Sequence, residues 1–125
     1  MGTESILQSV KKQLGITPDY THFDADIITG INSAFMILNQ LGVGPDDPFT
    51  ITGADEVWTD FIEDGKIELV KSYIPLRVKL LFDPPTNSFL VENINRQIAE
   101  FESRMNIEAE KDLLYPSDMT GIFME

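Results

Sequence analysis

Cysteine is absent from this 125-residue chain, which excludes disulfides, thiolate metal sites and cysteine nucleophiles together. Histidine is nearly absent, occurring once, at position 22. One imidazole with Asp24 nearby is neither a metal-ligand set nor a nucleophile–base arrangement. A Gly-rich phosphate loop is missing, because Gly42 and Gly44 follow a helical pattern and precede Pro45. The acidic pairs and strings, Asp46-Asp47 and Asp60, Glu63, Asp64, lack the spacing, glycine and closing glutamate of a calcium loop. No apolar run approaches the roughly 18 residues of a membrane span, and no signal-peptide pattern opens the chain. These absences predict a protein that is not an enzyme, holds no cofactor or metal and has no membrane partner.

What is present is an apolar fraction of 42%, enough for one small core, and a net charge of −12. The charge is uneven. Residues 23–65 carry nine acidic side chains and no basic one, whereas residues 66–85 sum to +2. Such a chain repels nucleic-acid phosphates, so direct DNA binding is disfavoured. The acidic middle serves either solubility or a basic patch on a partner.

Hydrophobic periodicity predicts an all-α fold, a small helical bundle built on a long αα-hairpin. Its arms are expected at about 66–82 and 87–106, separated by Phe82-Asp83-Pro84-Pro85-Thr86, where two prolines stop one helix and Thr86, Asn87 and Ser88 can cap the next. The first arm is apolar over most of its circumference and reads as the central helix. Pro75 inside it predicts a kink near Lys71 to Ile74. The second arm puts Phe89, Leu90, Ile94, Ile98, Phe101 and Met105 on one face, so the hairpin's apolar residues are expected inside the subunit. Two N-terminal helices are expected at about 3–14, capped by Thr3 and closed by Gly15, and at about 24–41, closed by Gly42. Gly30 within the second predicts a closely packed neighbour. A short helix is expected near 56–62, started by Asp55 and carrying Trp58. The extended loop at 42–55, in which Phe49-Thr50-Ile51-Thr52 alternates apolar and polar, is either packed by its own apolar residues or a contact surface. Periodicity fades after Ala109. The expected division is a helical domain over 1–108 and a C-terminal tail over 109–125 that is flexible or ordered on a partner.

With no catalytic set to nominate, the candidate functional residues are interface residues. They are Asp46, Asp47, Phe49 and Ile51 in the loop, Lys71, Arg77 and Lys79 on the first arm, and Leu113, Leu114, Tyr115, Ile122 and Phe123 in the tail. The three cations are candidates to meet the acidic 23–65 region of a neighbouring copy.

At this point the chain resembles a known group. ILQSVKKQLGI (6–16), His22-Phe23-Asp24-x-Asp26-Ile27-Ile28, INSAFMILNQLGVGP (31–45) and Trp58-Thr59-Asp60-Phe61 carry the resemblance. So, above all, does LVKSYIPLRVKLLFDPPTNSFLVENINRQIAEFESRMNI (69–107) with its FDPP turn. These segments are similar to the small head–tail connector proteins, also called head-completion or adaptor proteins, of long-tailed bacteriophages and prophages. The resemblance covers about 3–108, and Pro75 departs from it. It implies a non-enzymatic helical subunit forming a ring of about a dozen copies at the portal vertex, joining head to tail. The implied partners are further copies of itself, the portal protein, and tail-completion or other neck proteins. The genome would pass the lumen without specific binding. The implied location is the virion neck, after assembly in the host cytoplasm. Two alternatives stay open: a small acidic module or regulator masking a basic surface of a partner, and an enzyme or metal protein using His22.

Overall fold

The computed structural model describes residues 4–62 and 64–114, with side chains at 4–62 and 66–107. It is all-α, with helices α1 (Ile6–Gln13), α2 (Asp24–Gln40), α3 (Trp58–Phe61), α4 (Asp64–Phe82) and α5 (Ser88–Leu114). No strand forms among the described residues. The alternating stretch at 49–52 stays irregular, and the one β-like feature is an isolated bridge between Ser5 and Val57. None of the helices described is long and apolar enough to cross a membrane.

Local chemistry sets the ends. The cap of α1 is Ser5, whose hydroxyl accepts from the Gln8 N–H at 3.2 Å; Thr3 lies outside the described residues. Gly15 and Gly42 take left-handed φ angles of 79° and 83° at the ends of α1 and α2. Beyond each, the next N–H reaches back to close a Schellman turn, Ile16 to the Lys11 carbonyl and Val43 to the Leu38 carbonyl. The short helix α3 starts after Val57, not at the Asp55 cap expected, and the Val57 N–H is taken by the Asp60 carboxylate at 2.9 Å.

The first arm is central, since α4 packs against each of the other helices. The helix runs unbroken through Pro75, a buried residue. Proline costs a helix one N–H bond, and here continuous packing on both sides outweighs that loss. Its main partner is α2 rather than its hairpin mate α5. Gly30 explains the closeness: a methyl group there would stand 3.5 Å from Val78 Cγ1. Ile27, Ile31, Ala34, Phe35 and Leu38 of α2 meet Ile67, Val70, Tyr73, Ile74 and Val78 of α4 in one core, with Ile6, Leu7 and Val10 of α1 added. Of α5's described side chains, only Ile98 and Met105 are fully buried. The backbone of α5 continues to Leu114, past the fading of sequence periodicity at Ala109.

Loop 42–55 is held down by the subunit itself. The Asn32 side-chain amide acts as a strand partner, accepting from Ile51 N–H at 2.8 Å and donating to Ile51 carbonyl at 3.0 Å. Phe49 packs edge-on against Phe35 at 5.1 Å and beside Phe61 at 5.4 Å. The Glu56 carboxylate gathers the Thr52 N–H and hydroxyl. Burial opposes ionisation of Glu56, but these donors, with the Gly53 and Glu56 N–H groups, hold its pKa below the ordinary value.

Candidate docking surface

Three of the large apolar residues that the fold leaves uncovered gather at one end of the bundle, while Met36 and Ile107 are exposed elsewhere. Leu81, in the last turn of α4, is 63% exposed, and Phe89 and Leu90, in the first turn of α5, are 70% and 47% exposed. Pro84 and Pro85 force the chain out of α4, and Asn87 restarts it by accepting the Phe89 N–H at 2.8 Å. The turn therefore carries three large apolar side chains that the subunit does not bury. Sequence periodicity assigned all three to the core. They lie on the correct faces, but at the very ends of the two helices, where no third element among the described residues comes over them.

An aromatic ledge adjoins the turn. Phe82 meets Phe23 edge-on at 5.1 Å, and Phe23 meets His22 at 4.7 Å and Tyr20 at 5.8 Å. What fixes this ledge is Lys11, an unexpected buried charge. Its ammonium, fully enclosed, donates to the Pro18 carbonyl at 3.1 Å and the Tyr20 carbonyl at 2.8 Å, and pairs with Asp24 at 2.8 Å. Two carbonyl acceptors and one carboxylate counter-ion surround the ammonium group, which is how a lysine is tolerated in the interior. Lys11 stands in the last turn of α1, where a cation suits the helix dipole, yet it is turned inward. Its neighbours in sequence, Val10 and Leu14, hint at its inward face but not at its partners. His22 is thus part of an exposed ring cluster, and among the described residues no group of three or more His, Cys, Asp or Glu side chains can hold a metal ion.

Along the outer side of α2 runs a shallow trough. One half, of about 500 Å³, is lined by Asp26, Thr29, Gly30, Ser33, Leu81 and Phe82. The other, of about 560 Å³, shares Thr29 and Ser33 and continues to Met36, Ile37 and Thr50. Its lining is small and neutral along the middle, apolar at both ends, and acidic at Asp26.

The expected contact residues distribute as follows. Asp46 and Asp47 are exposed on loop 42–55. Ile51 is 1% exposed and belongs to the subunit's own core, and Phe49 is half-buried in the aromatic cluster with Phe35 and Phe61. The three cations are engaged within the chain, and among the described residues none by the acidic 23–65 region. Lys71 pairs with Glu4, Arg77 approaches Glu102 at 3.5 Å, and Lys79 approaches Asp83 at 3.8 Å. The hydrogen bond from Lys71 lowers the pKa of the Glu4 carboxyl. Leu113 and Leu114 lie on the last turn of α5 by their backbone, while Tyr115, Ile122 and Phe123 fall outside the described residues.

With that geometry in place, comparison adds one match. A family model described as phage connector protein matches residues 6–112, which includes all five helices up to the last residues of α5. No curated protein and no solved structure matches the chain.

Proposed function

We propose a docking function on one premise: the chain belongs to the phage connector protein family. It is a structural component of the virion neck. Copies of it form a ring of about a dozen subunits at the portal vertex and join the filled head to the tail. Its partners are its own copies, the portal protein and the tail-completion proteins of the neck. It works by binding, without chemistry on a substrate. The domain that binds is the helical body. The source is a long-tailed phage or a prophage.

The observation that carries this reading is the uncovered hairpin turn. Leu81, Phe89 and Leu90 are large apolar groups left in water at one turn, while Ile27, Ile31, Phe35 and Leu38 of α2 and Ile67, Val70, Ile74 and Val78 of α4 are buried. Exposed apolar groups gathered in one place mark a contact surface. The negative charge supports the second half of the reading, because a lumen wall built from such a chain lets DNA slide past without holding it. Size-exclusion chromatography with light scattering, run with and without purified portal rings, tests the proposal. Co-elution with the portal in a multi-copy complex is expected. A chain that stays monomeric and ignores portal rings at every concentration overturns it, and retention of a host protein instead favours a masking module.

A further inference from the structure

We infer that the turn-proximal face of α5 in one copy docks in the α2 trough of the next, with Phe89 as the knob and Arg96 paired to Asp26. This names the self-contact of the ring and rests on the proposed ring assembly.

The first support is charge. Copies carrying −12 each repel one another, so contact is easiest where one copy offers a cation that is not already used. Arg96 is such a cation: it is exposed and, among the described residues, takes part in no ion pair or hydrogen bond, whereas Lys11, Lys71, Arg77, Lys79 and Arg104 are all paired within the chain. Asp26 is likewise exposed and without a partner among the described residues, and it stands in the trough.

Shape makes the second. Phe89 and Arg96 are seven positions apart on α5, which is two helical turns and about 10 Å along one face. Asp26 and Ser33 are seven positions apart on α2 and fall on one face in the same way. Laid antiparallel, the two faces bring Arg96 to Asp26 and Asn93 to Thr29. Phe89 then lies over Ser33, between Met36 and Ile37. Met36 is exposed and unbranched, so it can fold over an entering ring. The middle of the trough, at Thr29 and Ser33, carries only small side chains, which lets a helix approach closely.

Topology makes the third. Both α2 and α5 pack on α4 and make no extended contact with each other, so knob and trough are different patches on different helices, near each other only where Leu81 lines the end of the trough. A contact between different patches is head-to-tail, and it saturates only by closing a ring.

The test is a charge exchange, read as the concentration at which the chain assembles on portal rings. Arg96→Asp and Asp26→Arg singly are expected to raise that concentration roughly tenfold or more, and the two together in one chain to return it near the starting value. Both positions are exposed, so unchanged thermal unfolding checks that the fold is intact. As a second readout, Thr29→Cys with Asn93→Cys introduces the only thiols in the chain. On oxidation of assembled rings the double variant is expected to give a ladder of covalent multimers, and each single variant none. Rings that form normally with either charge reversed, or that yield no ladder, overturn this contact while leaving ring assembly standing. Single losses that the exchange does not repair overturn the pairing. A wild-type chain that never assembles overturns the proposed function and this contact with it.

Discussion

The Tyr73 hydroxyl donates to Glu102 Oε2 at 2.6 Å, joining the centre of α4 to α5. Tyr73 is fully buried, and Arg77 approaches the same carboxylate, so one polar network holds the hairpin at its middle. Because α5 buries so few apolar side chains, this network carries an unusual share of its attachment.

Removing the hydroxyl should therefore be felt. Tyr73→Phe is expected to cost about 1–2 kcal/mol, the usual worth of a hydrogen bond to a charged group when the carboxylate can rehydrate. The pH dependence has a definite sign. Burial first, and then the Glu102 hydrogen bond and charge, push the Tyr73 pKa well above the ordinary tyrosine value. A raised folded-state pKa gives stability that is present below about pH 10 and lost as pH rises through the folded value. Denaturant melts between neutral and strongly alkaline pH should show declining stability for the natural chain, and a shallower decline for Tyr73→Phe.

Lys11→Met keeps the length and apolar stem of the side chain and deletes its three polar contacts. The Pro18 and Tyr20 carbonyls lose their donor and Asp24 its counter-ion, for a loss of about 2–3 kcal/mol, tempered because Asp24 is partly hydrated. The aromatic ledge should loosen with it. Amide exchange over residues 16–24 checks this, and a variant with protection equal to the natural chain contradicts the clamp.

Two glycines should respond in opposite directions to alanine. At Gly30 the added methyl meets Val78 at an ordinary contact distance, so the gain in helix propensity prevails and stability rises by about 0.5–1 kcal/mol. At Gly44 φ is +90°, and the methyl would lie 2.5 Å from Phe61 Cε1. Phe61 is walled in by Phe35 and Phe49, so the ring cannot yield cheaply, and Gly44→Ala should cost about 2 kcal/mol or more. Thermal unfolding of the two variants decides both signs.

The exposed turn should separate stability from assembly. Phe89→Ser with Leu90→Ser is expected to leave unfolding free energy within about 0.5 kcal/mol, since little is buried there. The same variant should fail to enter rings on the portal. A variant that assembles normally shows that these residues only face water.

Much of the fold can be read from the residues, because periodicity and helix stops are local signals. Gly42 with Val43, and Pro84-Pro85, announce their turns by chemistry confined to a few positions. The continuity of α4 across Pro75 is legible too, because its apolar pattern stays in phase on both sides of the proline. The contact surface is not legible in this way. Periodicity places Phe89 and Leu90 on the apolar face, but whether that face is covered depends on how far neighbouring elements extend. Ile51 shows the converse, an apolar residue in a polar loop drawn into the core by Asn32, nineteen positions earlier. Lys11 shows that a charged side chain is readable as buried only once its three acceptors are placed around it.

The central claim is that this chain is a docking subunit at the head–tail junction. Electron microscopy of virions carrying a tagged copy of the chain tests it most directly. The account predicts tag density in a ring between the portal and the tail, and packed heads without tails when the chain is withheld. Tag density elsewhere in the particle, or tailed infectious virions assembled without the chain, would contradict it.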